Sequence, residues 1–344
     1  MPSQPSRSSK SSNPTLKMRL FITALALWAS SAVAQASPPI RNIYTFPPNH
    51  FIENIAVRSN SRLLLTSMSV PHLYSINPLA SNPAANVVHT FANPNNATGI
   101  SGIAEIRPDV FAVIVADWDL FTTRAIIGTL AVWTVDFNKP ASQRVKFVTQ
   151  IANSTIFNGI ARHPTNPRLL LAADSALGAV WKVDLLTGAS GVAFSSPLLT
   201  PTATAHLGIN GLKAEGSHVY FTNSAQGFLG RVAVDWNGNK VGAIEVLSEA
   251  ADAGANVVYD DIALDLTHGQ GKVWVASHPS YAIGVTLPGA GQWVVNNTTK
   301  LLNPTACAFG RGSRKQEKTL YLTNGGEFLP DFTLVNEGVV AIDL

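Results

Sequence analysis

A short phrase returns six times along the chain: a polar residue, a small or polar one, an apolar one, then usually alanine. The copies are Glu53-Asn54-Ile55-Ala56, Ser101-Gly102-Ile103-Ala104, Asn158-Gly159-Ile160-Ala161, Asn210-Gly211-Leu212-Lys213, Asp260-Asp261-Ile262-Ala263 and Thr305-Ala306-Cys307-Ala308. They stand about fifty residues apart. Each is followed by a short, almost wholly apolar run at 63–66, 110–116, 169–173, 219–222, 273–276 and 320–323. Segments of alternating β-branched and aromatic residues come next, at 72–76, 130–136, 179–184, 231–235, 281–285 and 339–343. Period-two alternation beside continuous apolar runs predicts half-buried strands beside fully buried ones. A fourth, outer strand is expected at 87–91, 144–150, 241–247 and 293–296.

An all-β pattern with a period near fifty predicts a six-bladed β-propeller with four antiparallel strands per blade, since one repeat cannot bury its own faces. The segment Asn42-Ile43-Tyr44-Thr45-Phe46 reads as an outer strand, and the chain ends on a third-strand phrase. The N-terminal strand is therefore expected to complete the last blade. Beyond the leader, at most one helical turn is expected, over 248–255.

The chain has 344 residues, 46% hydrophobic and 13% charged, which suffices for one large core. The net charge of +3 is spread without a basic stripe, so the sequence has no nucleic-acid footprint. Residues 1–34 read as a Ser-rich extension followed by a secretory signal peptide. Met18-Arg19, an apolar run at 20–28 and Ala32-Val33-Ala34 before Gln35 carry that reading. The propeller is assigned to 35–344, secreted, with no membrane association after cleavage. Asn96, Asn153, Asn296 and Asn297 each open a glycosylation sequon. Cys307 is the single cysteine, excludes an intrachain disulfide and reads as a buried, inert thiol.

The first residue of each phrase occupies one structural position, so six polar side chains should ring the channel. Four carry carboxylate or amide oxygens: Glu53, Asn158, Asn210 and Asp260. Oxygen donors alone suit a hard cation, Ca²⁺ or Mg²⁺. The competing reading is that channel polar groups satisfy blade edges and water, with Asn-Gly serving turn chemistry. A second recurrent polar position, at Ser67, Asp117, Asp174, Asn223, Ser277 and Asn324, reads as turn capping. Trp118, Phe157, His206, Tyr259 and His278 are candidates for lining an apolar, substrate-binding mouth.

The order Glu53, Asn158-Gly159, Asn210-Gly211, Asp260 resembles the gluconolactonase/regucalcin superfamily. That resemblance implies one divalent cation on Glu53, Asn158, Asn210 and Asp260. The family's usual Gly-Pro after the Glu is Asn54-Ile55 here, and Asp261 stands where Gly is usual. The leader, the sequons, Phe46-Pro47-Pro48-Asn49 and Ile55-Ala56-Val57-Arg58 are similar to those of secreted fungal propellers of secondary metabolism. Members of that group are hetero-Diels–Alderases that join an o-quinone methide tropolone to a humulene-type sesquiterpene, forming a dihydropyran. The resemblance implies a monomeric pericyclase for small apolar substrates that needs no cofactor. Asn158, Asn210 and Asp260 would then bind the quinone methide oxygen, and Trp118, Phe157 and Tyr259 would stack the terpene. Two other readings stand beside it: a metal-dependent lactonase with Asp260 as base, and a non-catalytic binding propeller.

Overall fold

The computed structural model describes residues 38–91, 96–266, 271–287 and 291–344. The proposed leader, residues 1–34, lies outside them. Six antiparallel four-stranded sheets follow one another along the chain, and each inner strand packs against the inner strands on either side to close a ring. The inner strands are Ile52–Val57, Gly99–Arg107, Phe157–Arg162, Ile209–Glu215, Val258–Asp265 and Pro304–Phe309. The sixth blade takes its outer strand from the N-terminal side, where Ile40–Thr45 pairs antiparallel with Gly338–Asp343. The closure is reinforced by Arg41, whose guanidinium donates to Asp343 at 3.1 and 3.2 Å. The expected six-bladed propeller, with its N-terminal strand in the last blade, is thus the observed architecture.

The burial of each strand follows its place in the blade. Second strands are covered on both faces by neighbouring blades, and Leu63–Ser67 and Val110–Ala116 are buried at every position. Outer strands such as Val145–Gln150 alternate between half-buried and exposed. The cores lie between adjacent sheets: Ala112, Ile114 and Val132 of blade 2 pack with Leu170, Ala172 and Trp181 of blade 3. The helical turn expected at 248–255 is a 3-10 turn at Ala250–Asp252, and three further short helices, Ala141–Gln143, Pro197–Leu199 and Arg314–Glu317, exceed the single turn expected.

One irregularity repeats in all six blades. The ladder between inner and second strands slips between Ile52 and Asn54, Ile100 and Ile103, Phe157 and Ile160, Ile209 and Leu212, Tyr259 and Ile262, and Pro304 and Ala306. Every slip falls on the first residue of the repeated phrase. A β-bulge leaves a residue out of the ladder and re-aims its side chain. Threonines fill three bulges: the hydroxyls of Thr66, Thr222 and Thr323 accept from the N–H of Asn54, Gly211 and Ala306 at 2.9–3.0 Å. Gly159 and Gly211 belong to this close packing and not to turns, contrary to the turn reading of Asn-Gly. A Cβ on Gly159 would meet Leu212 N at 2.4 Å, and one on Gly211 would meet the Asp261 Cα at 2.5 Å. Only glycine lets adjacent inner strands approach this closely.

Candidate functional site

The six bulged positions do not behave alike. Ser101 and Thr305 donate their hydroxyls to backbone carbonyls of the next blade, Phe157 O at 2.7 Å and Ile52 O at 2.8 Å. These two are interblade stitches. The other four are Glu53, Asn158, Asn210 and Asp260, all at least nine-tenths buried. Asn158 Oδ1, Asn210 Oδ1 and Asp260 Oδ1 are buried and accept no hydrogen bond. Buried polar atoms are nearly always paired, so three orphan acceptors at equivalent repeat positions mark a site built for something further.

Two of these side chains are held through their other polar atom. Asn210 Nδ2 donates to Ser224 Oγ at 2.8 Å, and Ser224 Oγ donates to Tyr259 O at 2.7 Å. Asp260 Oδ2 lies 2.9 Å from His278 Nε2. For Asn210 and Asp260 these partners fix side-chain orientation and leave one oxygen of each free. Burial pushes the Glu53 carboxyl well above its ordinary range, and the nearby carboxylates of Asp260 and Asp261 push it the same way. Burial also raises Asp260, opposed by its bond to His278. A divalent cation among these oxygens would relieve both acids, and an all-oxygen donor set fits a hard cation. The donor set is two acids and two amides; among the described residues no cluster of three His, Cys, Asp or Glu forms a conventional metal site.

The three free oxygens accept, so they take a hydroxyl hydrogen or a cation. A ligand carbonyl, the expected quinone methide oxygen included, would need a donor such as the raised Glu53 or Asp260 carboxyl in its protonated form.

The aromatic candidates divide. Phe157 and Tyr259 are fully buried in interblade cores, where Tyr259 Oη bonds Ser248, Glu249 O and Gln292. With no exposed surface, both rings support the site from behind and do not stack a ligand. His278 reaches the ring through Asp260. His206 is exposed and pairs through Nε2 with Thr123 Oγ1 at 2.7 Å. Trp118 is 6% exposed and packs in the same cluster as Met68 and Phe157. At two of the six second polar positions the side chain caps the following turn: Asp174 accepts from Leu177 N and also from Trp181 Nε1, and Asn223 accepts from Gln226 N. Asn96, Asn153 and Asn296 are exposed, and Asn297 is half-buried, its Oδ1 accepting from Thr299 and Lys300 N–H groups.

Two features escaped the sequence reading. The first is a pair of hairpins at the ring end of the channel. Trp118–Asp119 pairs with Arg124–Ala125 in blade 2, and Glu327–Phe328 pairs with Leu334–Val335 in blade 6. Their tips meet edge to face, Phe121 against Phe332, with centroids 6.1 Å apart. The signal was loop length: 117–130 and 325–337 stand where blade 3 has only 175–178. The second is a buried polar brace. Asp261 accepts from Asn54 Nδ2 at 2.8 Å and from Lys213 Nζ at 2.6 and 2.7 Å, joining blades 1, 4 and 5. Beyond it, the opposite end of the channel opens into a cavity of about 810 Å³ lined by Ile55, Ile103, Ile160, Cys307, Glu105 and Arg311 among others. Cys307 is buried there, and burial raises its thiol far above the ordinary range, as befits an inert residue.

No family model matches the chain. It is 24% identical over 328 residues to a protein of Sarocladium schorii named "Putative hetero-Diels-Alderase asR5", covering 86% of this chain and 80% of that one. It is 25% identical over 325 residues to a "Putative hetero-Diels-Alderase" of a Phoma species, covering 86% and 89%. Among solved structures, a luciferin-regenerating enzyme superposes with a TM-score of 0.63 at 14% identity, over 89% of this chain and 95% of that one. The calcium-binding protein regucalcin of Agrobacterium tumefaciens does so with 0.60 at 15% identity, over 89% and 94%. The chain is therefore a six-bladed propeller of the gluconolactonase/regucalcin-like fold. Over most of its length it is similar in sequence to proteins named as hetero-Diels–Alderases.

Proposed function

We propose that this protein is a secreted, monomeric pericyclase, a hetero-Diels–Alderase that joins an o-quinone methide of tropolone type to a humulene-type sesquiterpene. The observation that carries the reading is the similarity to the two named relatives across 86% of the chain. The site is compatible with it. A cycloaddition forms its bonds without a nucleophile or a general base, and the ring pairs none of its oxygens with an activated nucleophile. Orientation of two partners can lower such a barrier by at most about 7–11 kcal/mol. The orphan oxygens of Asn158, Asn210 and Asp260 would receive a hydroxyl hydrogen of the oxygenated partner and so orient it. The exposed aromatic tips of Phe121, Phe328 and Phe332 would gather the hydrocarbon partner at the mouth. No cofactor is required for this chemistry.

The test is direct. Purified protein is mixed with α-humulene and a tropolone o-quinone methide generated in place, and adducts are resolved by chiral chromatography. The expected result is one dominant stereoisomer, with the Asn158→Ala/Asn210→Ala double variant returning the uncatalysed mixture. An unchanged mixture with wild type sinks the proposal.

A second reading rests on the buried acceptors themselves. Glu53, Asn158, Asn210 and Asp260 would hold Ca²⁺ or Mg²⁺, which when bound supplies Lewis acidity toward a lactone carbonyl. Asp260, oriented by His278, is the residue placed to hold or move a proton. Lactone turnover abolished by EDTA, with adduct formation absent, would favour this hydrolase over the pericyclase.

A further inference from the structure

An apolar substrate with a carbonyl group needs a hydrogen-bond donor, and the structure holds an unpaired one at the ring end of blade 2. Trp118 opens the blade 2 hairpin, and its indole Nε1–H is buried without a hydrogen-bond partner. Its backbone is fixed, with Trp118 N donating to Thr98 Oγ1 at 2.6 Å. Trp118 belongs to the same apolar cluster as Met68 and Phe157. Buried indole N–H groups normally find a partner, so an unpaired one at the base of a ring-end hairpin is, like the three unpaired acceptors, left for a group from outside the chain.

The hairpin that carries Trp118 is anchored on two sides. Ala125 N donates to Thr155 O at 2.7 Å, and Thr123 pairs with His206 at 2.7 Å. Its tip is instead apolar and open: Phe121 is 81% and Ile127 76% exposed, and Phe121 touches only the equally open Phe332 of the facing hairpin among ring contacts. A buried donor at the hairpin base and an exposed apolar tip describe a ligand with one oxygen acceptor on a hydrocarbon frame.

We infer that Trp118 Nε1 is the hydrogen-bond donor to a carbonyl oxygen of the ligand, beneath an apolar roof formed by Phe121 and Phe332. The inference deepens the pericyclase reading and rests on it for the ligand class. It differs from stacking, the role that the sequence suggested for Trp118, because only the N–H matters.

The experiment is isothermal titration with two probes of one skeleton, the macrocyclic sesquiterpene ketone zerumbone and the hydrocarbon α-humulene. Wild type is expected to bind zerumbone about tenfold more tightly, the preference expected from one hydrogen bond to a buried donor. Trp118→Phe keeps the aromatic volume and should bind both probes at the α-humulene level. Persistence of the preference in that variant, or its absence in wild type, overturns the assignment of Trp118 while α-humulene binding still upholds an apolar site. If neither probe binds wild type, the pericyclase reading fails and the inference falls with it. Indole ¹⁵N-labelled wild type gives a check that needs no variant. One buried indole N–H resonance should move downfield with zerumbone and stay in place with α-humulene, and the absence of such a shift overturns the proposal.

Discussion

The two ends of the channel are built from the same six phrases and treat their polar atoms in opposite ways. At the end away from the ring, the buried and half-buried charges nearest the channel have partners. Asp261, 1% exposed, takes three side-chain hydrogen bonds, from Asn54 and Lys213, and a fourth from its neighbour Ile262 N. Arg311 is bound to Glu105 and Val57 O, and Arg58 to Asp109. At the ring end, three equally buried oxygens and an indole N–H have no partner. The contrast separates polar groups that hold blades together from polar groups arranged for a molecule not part of the chain. It also locates the candidate chemistry at one end although the cavity of about 810 Å³ is at the other.

The sharpest way to break the comparison is to remove the centre of the fully partnered end. Asp261→Ala strands the Lys213 ammonium and the Asn54 amide between three blades. Deleting one partner of a buried pair costs about 3–5 kcal/mol. Lys213 is 23% exposed and regains some water, so the lower bound, about 3 kcal/mol, is expected. Urea unfolding measures it. A loss below about 1 kcal/mol, the value of an ordinary surface pair, would show that the brace does not hold the blades.

A smaller effect tests whether the ring acids are held in an unfavourable state. The Glu53 carboxyl is raised above its ordinary value, first by burial and then by Asp260 and Asp261. The folded state therefore keeps a proton that the unfolded chain has already released. The stabilisation is fully present below the ordinary carboxylate range and is lost as pH rises toward the folded-state value. With EDTA present, wild-type unfolding midpoints should fall as pH climbs above 4.5, and Glu53→Gln should flatten that slope. Asp260 is raised as well, so the slope should shrink without vanishing. Parallel slopes for the two proteins would refute the buried-acid picture.

How much of this the sequence disclosed depends on whether a feature repeats. The blades, their order and the closing strand were legible because each phrase recurs about every fifty residues and its burial pattern recurs with it. The four ring residues were legible for the same reason. What repetition cannot show is which members of a repeat depart in space. Ser101 and Thr305 share the ring position yet turn to neighbouring carbonyls. Asn54 and Asp261 looked like departures from a family pattern, and only their meeting with Lys213 across three blades explains them. Phe157 and Tyr259 looked like mouth residues because they precede ring residues, but strand alternation sends the preceding side chain to the interblade face. The hairpins occur in two blades only and have no periodic signature.

The smallest effect sharpens the comparison most. If the ring oxygens serve a ligand and not the fold, Asn158→Ala should cost little stability. The side chain removed has an acceptor that is already unpaired, so no good hydrogen bond is lost through it. Removing a buried unsatisfied group recovers part of its desolvation cost, which offsets the small cavity left behind. The expected change in the free energy of unfolding is within about 1 kcal/mol of zero, far below that of Asp261→Ala, although Asn158 is buried as well. Binding of Ca²⁺ or of an oxygenated apolar ligand should fall in the same variant, measured by titration. A large loss of stability with binding intact would place Asn158 with Ser101 and Thr305 as a stitch between blades, and the difference between the two ends of the channel would then be one of degree.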